Sequence, residues 1–146
     1  MVADAVRAMV PPELGPVRCR WHRYGLKAWF GSDAPGREHY EAQVINARDV
    51  PDAEVLAIEV GFHAEHPKPA DNAATLAVLT GAEKQWRRQL GPDAIAGPFL
   101  GRRDDWARVS ETWPDPDLGD EELGFELAAR LTDYMTALEP VRRSTG

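Results

Sequence analysis

Apolar and polar residues alternate along residues 17 to 63, which is the pattern of β-strands that bury one face. The alternation predicts strands over residues 17–23, 26–30, 39–45 and 54–62. Loops rich in Gly, Pro, Asp and Asn separate them, and both longer loops are short enough to close hairpins. An antiparallel meander is therefore the most economical topology for this half of the chain.

Side-chain parity assigns each strand residue to one of two faces, because successive side chains of a strand point in opposite directions. One face is apolar and needs a cover. The other face, here called the polar face, carries basic, acidic and imidazole groups and one tryptophan: Arg18, Arg20, His22, Lys27, Trp29, His39, Glu41, Gln43, Glu59 and His63. The polar face is where the sequence places a functional site.

The first two strands are predicted to form a hairpin with a two-residue turn at Tyr24-Gly25, because glycine accepts the positive φ of such turns. This register sets Cys19 opposite Phe30 on the apolar face. On the polar face it sets Arg20 opposite Trp29, where the two side chains would form a cation–π contact. A slip by one residue would mix the faces.

Helical spacing of apolar residues predicts three helices, over residues 2–10, 72–90 and 118–139. Asp71 is expected to cap the second helix. Pro140 is expected to end the third, because proline lacks the backbone N–H that continues a helix. The two long helices are amphipathic, so each offers one apolar stripe to a sheet.

The segment between the long helices predicts one or two further strands, over residues 96–100 and 106–112. The chain is therefore expected to form a two-layer α+β sandwich. Its antiparallel sheet of five or six strands is covered on one face by two long helices, and a short helix precedes it. We expect a single domain over residues 1–140 and a disordered tail at residues 141–146.

Composition narrows the classes of function. The chain has 146 residues and a net charge of −7, from 17 Lys and Arg against 24 Asp and Glu, which argues against nucleic acid and anionic membranes as partners. No apolar run approaches the ~20 residues that span a bilayer. The N-terminus lacks the pattern of a secretory signal, and the single cysteine, Cys19, excludes an intrachain disulfide. A cytoplasmic location is expected.

Two local motifs invite a chemical interpretation and fail on inspection. The His63-x-x-His66 spacing runs from a strand end into Pro67, so no helix presents both imidazoles as zinc helices do. The segment 31–36 has the glycine spacing of a phosphate-binding loop, but Arg37 and a glutamate follow where lysine and a hydroxyl residue belong. We therefore expect no bound metal and no cofactor.

The register of the third and fourth strands decides which groups meet on the polar face. It brings either Glu41 near Glu59 or His39 near His63, and parity alone leaves both possible. A pair of carboxylates is suited to general acid–base catalysis, and a mixture of imidazole and carboxylate groups is suited to binding a divalent metal ion. These four residues are the candidate catalytic groups.

The favoured function is a non-catalytic one, in which the polar face binds a partner protein or a second copy of the chain. An exposed tryptophan on a sheet is typical of a binding surface, and the candidate binding residues are Arg20, His22, Trp29 and Gln43. The element order is similar to that of small secretion-chaperone-like folds, which implies an adaptor or chaperone-like role by analogy alone. The alternative is a small acid–base or metal-dependent hydrolase that uses the four candidate catalytic groups.

Overall fold

A computed structural model of the protein describes residues 2–99 and 105–144. Its helices are α1 (Val2–Met9), α2 (Pro69–Gly81), α3 (Glu83–Leu90) and α4 (Leu123–Arg143). Its strands are β1 (Val17–His22), β2 (Gly25–Phe30), β3 (Glu38–Asn46), β4 (Leu56–Ala64), β5 (Ile95–Pro98) and β6 (Ala107–Pro114). Short 3-10 turns at Pro12–Leu14 and Ala47–Asp49 precede β1 and follow β3.

All six strands form one antiparallel sheet in the order β1-β2-β3-β4-β6-β5, which confirms the predicted α+β class. The first four strands are a meander. The chain then leaves the sheet through α2 and α3 and returns as the edge strand β5, so that β6 pairs with both β4 and β5. The two central strands, β3 and β4, pair over nine residues and carry all four candidate catalytic groups.

The helices cover the apolar face of the sheet. The long helix α4 crosses β3 and β4, with α1 packed between α4 and β1 and with α2 and α3 on its other side. The largest buried side chains come from both layers and include Tyr40, Phe62, Trp86, Leu131 and Tyr134. Burial of these side chains, at roughly 1.5–3 kcal/mol for each large apolar residue, is the main stabilising contribution of this layer.

The predicted helix over residues 72–90 is two helices with a break at Ala82. Across the break, the Leu79 carbonyl accepts from the Ala82 amide at 3.0 Å and from the indole N–H of Trp86 at 2.8 Å, so the second helix is tied to the last turn of the first. The predicted cap at Asp71 is also wrong. The helix begins earlier, at Pro69, after Lys68 at the N-cap position, and Asp71 lies within its first turn.

The last helix begins at Leu123 rather than at residue 118, and it runs through Pro140 to Arg143. The segment 141–143, predicted to begin a disordered tail, is its last turn, while residues 145–146 lie outside the described part. The turn is held by Glu139, which is fully buried and accepts hydrogen bonds from Arg142 at 2.8 Å and from Arg143 at 2.9 Å. These charge-assisted bonds stabilise helical structure that proline alone would end.

The predicted β1–β2 register is wrong by two residues. Cys19 pairs with Ala28 and Arg20 pairs with Lys27, so the loop is formed by Arg23-Tyr24 and not by Tyr24-Gly25. Because the shift is even, every side chain remains on the face that parity assigned to it. Two apolar-face residues nevertheless lie at the rim, where Trp21 is 58% and Val44 39% exposed.

Gly25 explains the shift. It lies within β2, where a Cβ atom would stand 2.1 Å from the Ala42 carbonyl oxygen of β3. Only glycine allows the two strands this approach, so the residue is required by strand pairing and not by a turn. The other strand bounds differ from the predictions by one to two residues, and the predicted strand end at Leu100 lies outside the described residues.

Candidate functional site

The pairing of β3 with β4 decides between the two arrangements left open by parity. His39 lies directly opposite His63, and Gln43 lies opposite Glu59. Glu41 faces Gly61, which has no side chain. The register therefore brings the two imidazoles together, and both lie within hydrogen-bond distance of the Glu41 carboxylate.

The centre of the polar face is buried. The exposed fractions of His39, Glu41, Glu59 and His63 are 2%, 3%, 0% and 0%. Part of the cover is aromatic: the ring of Phe99 stands edge-on to the His63 ring, with centroids 4.6 Å apart. Buried ionisable groups are rare in proteins unless they are paired, so this cluster requires a physical explanation.

Four side chains converge on one point within this buried region. His39 Nε2 lies 3.1 Å from Glu41 Oε1 and 3.5 Å from Glu65 Oε2. His63 Nδ1 lies 3.2 Å from the same Glu41 oxygen and 3.3 Å from the same Glu65 oxygen. All four atoms lie within 4.8 Å of one another. We call these four residues the His–Glu cluster.

These separations match those between ligands of a metal ion. Ligands at about 2.1 Å from a common centre are about 3.4 Å apart in a tetrahedron and about 3.0 Å apart at neighbouring corners of an octahedron. The four imidazole–carboxylate separations run from 3.1 to 3.5 Å. The cluster therefore has the size of a coordination shell.

The remote nitrogen of each imidazole meets an acceptor outside the cluster. His39 Nδ1 is 3.1 Å from the Gly36 carbonyl oxygen, and His63 Nε2 is 2.7 Å from a Glu59 oxygen. Gln43 in turn donates to Glu59 at 3.0 Å. A proton on each remote nitrogen leaves the lone pair of the near nitrogen directed at the two carboxylates. Histidine ligands in metal sites are fixed in this way.

Electrostatics show what the cluster needs when no metal is present. Burial opposes charge on every member, but contacts with opposite charges outweigh it. The pKa of His63 is raised well above its usual value, chiefly by the Glu59 charge and the Glu41 hydrogen bond. Hydrogen bonds from both imidazoles lower the pKa of Glu41 and bring that of Glu65 to about 2. Despite burial, the pKa of His39 is raised as well, by its hydrogen bonds to Glu41 and Glu65, so the electrostatics favour an extra proton on each imidazole when no metal is present.

The two remaining histidines lie outside the cluster. His22 Nε2 lies 2.7 Å from Glu41 Oε2 without the angle of a hydrogen bond, and it is buried with no other partner in the described part. Its Nδ1 accepts from the Tyr24 amide, so Nε2 carries the proton and offers no lone pair. His66 pairs with Glu38 at 2.7 Å, so the His63-x-x-His66 motif does not form one site.

An open cleft of about 420 Å³ adjoins the cluster. Glu41 and Glu65 line this cleft, whereas the two imidazoles of the cluster are buried behind them and do not line it. The cleft is also lined by four polar or basic residues and two aromatic ones: Arg20, His22, Lys27, Gln43, Phe99 and Trp106. A small molecule entering the cleft would meet the carboxylate side of the cluster.

The predicted binding residues divide into two groups. Arg20, His22 and Gln43 line the cleft, but Trp29 does not. Trp29 was expected to be exposed, and this was wrong: its exposed fraction is 4%, and its indole N–H donates to the Ser32 carbonyl of the following loop at 2.8 Å. The predicted cation–π contact is present, with the Arg20 guanidinium carbon 5.7 Å from the Trp29 ring centroid.

Two residues of this region, Glu65 and Phe99, were not predicted from the sequence. Glu65 follows β4, where its amide donates to the Arg37 carbonyl at 2.7 Å and extends the strand pairing by one step. A signal for the cluster was present as a repeated His-x-Glu spacing, at residues 39–41 and 63–65. Phe99 has no comparable signal.

Comparisons with known proteins add nothing to the geometry of the site. Neither protein-family models nor curated proteins nor solved structures gave a match to this chain. Within residues 2–99 and 105–144, no helix has the length and apolar character required to cross a bilayer. The cluster and the cleft beside it are therefore the features of this chain that bear on its function.

Proposed function

We propose that this protein is a metal-dependent hydrolase in which His39, Glu41, His63 and Glu65 bind one divalent transition-metal ion. The single observation that carries the proposal is the orientation of the two imidazoles. Each has its remote nitrogen on an acceptor and its near nitrogen at 3.1 to 3.5 Å from both carboxylates. This orientation presents two ring nitrogens and two carboxylate oxygens to one common point, as the ligands of an ion are presented.

Charge balance supports the same proposal. The metal-free cluster needs one extra proton on each imidazole to compensate its carboxylates. One divalent ion would supply the same positive charge from the centre of the cluster, at the normal length of a coordinate bond. Replacing two protons by one ion leaves the net charge of this buried region unchanged, so no new burial penalty arises.

The ligand types narrow the choice of ion, and the cleft suggests its use. Two imidazoles with two carboxylates suit a divalent transition metal such as zinc, iron or manganese better than they suit calcium. Because the carboxylates face the cleft, a five- or six-coordinate ion would keep positions for water and substrate on that side. Such an ion would polarise a substrate carbonyl or phosphoryl group and lower the pKa of a bound water, which is the chemistry of metal-assisted hydrolysis.

The partner-binding function favoured by the sequence loses its main support. It depended on an exposed Trp29, whose side chain is buried. The candidate catalytic groups, in contrast, lie within hydrogen-bond distance of one another, as the hydrolase alternative required. The expectation of no bound metal gives way here to the proposal of a metal site.

Isothermal titration with Mn²⁺ or Zn²⁺ tests the proposal in the full-length protein. We expect one ion per chain and, near pH 6, release of about two protons, because each imidazole keeps only its remote proton on binding. The proton count follows from repeating the titration in buffers with different ionisation enthalpies. Affinity should fall toward acid by up to about a hundredfold per pH unit, as two protons compete with the ion. Failure to bind either ion would contradict the proposal.

Turnover of 4-nitrophenyl esters and 4-nitrophenyl phosphates tests the hydrolytic part of the proposal. The metal-loaded protein should hydrolyse at least one of these substrates, and treatment with a chelator should abolish the activity. If the protein binds metal but hydrolyses neither class of substrate, the proposed metal site would stand and the proposed hydrolytic activity would be contradicted.

A further inference from the structure

We propose that the cleft binds a substrate through an oxyanion, a carboxylate or phosphate held between Arg20 and Lys27, with the apolar part of the substrate against Phe99 and Trp106. The inference rests on the proposed function and adds the class of substrate to it. Two observations carry it: the two basic residues are neighbours on adjacent strands, and neither has a carboxylate partner among the described residues.

The two cations stand in one row with a residue of the His–Glu cluster. Arg20 pairs with Lys27 across β1 and β2, and Lys27 pairs with Glu41 across β2 and β3. Neighbouring strands are about 4.8 Å apart, so Lys27 lies one strand and Arg20 two strands from Glu41. An oxyanion between them would lie roughly 5–10 Å from the cluster, which is the reach of a small organic molecule.

Both cations are available to a ligand. Arg18, the neighbouring cation of β1, is paired with Asp33 at 3.1 Å. Neither Arg20 nor Lys27 has a carboxylate within 4.0 Å among the described residues. Glu41, which lies opposite Lys27 in the strand pairing, has its oxygens next to the imidazoles of His22, His39 and His63. Two unpaired cations at the wall of a cleft attract anions.

The direction of Arg20 is set by the ring beneath it. Its guanidinium stacks at 5.7 Å from the centroid of Trp29, and that ring is fixed in turn by its hydrogen bond to Ser32. A guanidinium held in this way loses little freedom when it binds a carboxylate or phosphate through two parallel bonds. Trp29 is thus a positioning residue for Arg20.

The other wall of the cleft is aromatic. Phe99 and Trp106 stand edge to face with ring centroids 5.6 Å apart, and the Phe99 amide donates to the Trp106 carbonyl at 2.9 Å. The cleft volume of about 420 Å³ is at the small end of the range for ligand sites. Aromatic walls opposite a cationic pair favour a compact, ring-bearing anion over a long or highly polar one.

Titration of the manganese-loaded protein with matched probes tests this inference. Benzoate and phenyl phosphate carry the two oxyanions, and benzamide is the neutral counterpart of benzoate. We expect at least one anion to bind at least tenfold more tightly than benzamide, since a charge-assisted bond contributes about 1.5–3 kcal/mol. Preference between benzoate and phenyl phosphate identifies the oxyanion. Equal binding of benzamide and both anions would overturn the inference.

Substitutions separate this inference from the proposed function. Lys27→Gln and Arg20→Gln should each weaken anion binding about tenfold and leave manganese affinity within twofold of wild type. Arg88→Gln, on the exposed side of α3, is the matched control and should change neither. If neither cleft variant changes anion binding, the inference about the substrate would be overturned, and the proposed metal site would not be affected. Failure of manganese to bind would overturn the proposed function and the inference with it.

Discussion

The variants His39→Asn and His63→Gln should each bind a divalent ion about a hundredfold more weakly than the wild-type protein, or not at all. Loss of the group that accepts a hydrogen bond from a metal-binding histidine alone costs about 10–100-fold in metal affinity, so loss of a ligand should cost more. Each substitution is chosen to remove one ligand atom and keep one hydrogen bond. The asparagine amide can still donate to the Gly36 carbonyl in place of Nδ1. The glutamine amide can still donate to Glu59 in place of Nε2.

The matched control for these variants is His66→Gln. His66 is close in sequence to His63 but pairs with Glu38 outside the cluster, so its replacement should leave affinity within about threefold of wild type. Titration calorimetry measures the affinities, and thermal melts verify that each variant is folded. Wild-type affinity in both cluster variants would show that the ion binds elsewhere.

Replacing Gly61 by alanine should destabilise the protein by about 3 kcal/mol or more, which is a large part of the stability of an ordinary domain. Gly61 has φ of +153°, which L residues with side chains rarely adopt. An added Cβ would also lie 2.4 Å from the Val109 carbonyl oxygen and 2.5 Å from the Ser110 Cα of β6. Both neighbours are backbone atoms of a central strand pair, so neither can move without loss of pairing.

The control for this prediction is Gly97→Ala. Gly97 lies in the edge strand β5, where an added Cβ meets nothing within 4 Å. Its replacement should change the free energy of unfolding by about 1 kcal/mol or less, with alanine favoured by its lower entropy in the unfolded chain. Urea unfolding monitored by tryptophan fluorescence gives both values. Equal stability of the two variants would contradict the described packing of β4 against β6.

Parity was the most informative property of the sequence. It placed His39, Glu41, Glu59 and His63 on one face before any pairing was known, and these residues are in contact. The reason is local: strand geometry alone fixes the alternation of side chains. Because the error in the β1–β2 register was two residues, the assignment of side chains to the two faces remained correct.

The pairing register of the strands and the burial of the polar face by other segments were not predictable from the sequence. Both depend on contacts between segments that are distant along the chain. Gly25 looked like a turn residue, but it is required by the approach of β3. Trp29 looked exposed, because alternation cannot show that the next loop folds over its ring. Phe99, which follows the edge strand β5, contacts His63 of β4, and alternation along the strands cannot show a contact between segments this far apart in sequence.

The helix ends were mispredicted for a related reason. Proline inside α4 was expected to end it, but Glu139 pairs with Arg142 and Arg143, three and four residues further on, and these ion pairs hold a further turn. Tyr40 of the sheet also donates to Glu139 at 2.9 Å, so the sheet and the end of α4 fix each other. Local propensity was overridden here by tertiary contacts.

The central claim is that one metal ion lies among His39, Glu41, His63 and Glu65, and anomalous X-ray diffraction tests it most directly. Crystals grown with Mn²⁺ or Zn²⁺ should show one strong anomalous peak at about 2.0–2.2 Å from Nε2 of His39, Nδ1 of His63 and one oxygen of each carboxylate. Bonding through opposite ring nitrogens of the two histidines is the specific signature of this site. An empty cluster, or a peak beside His66 and Glu38 instead, would contradict the account.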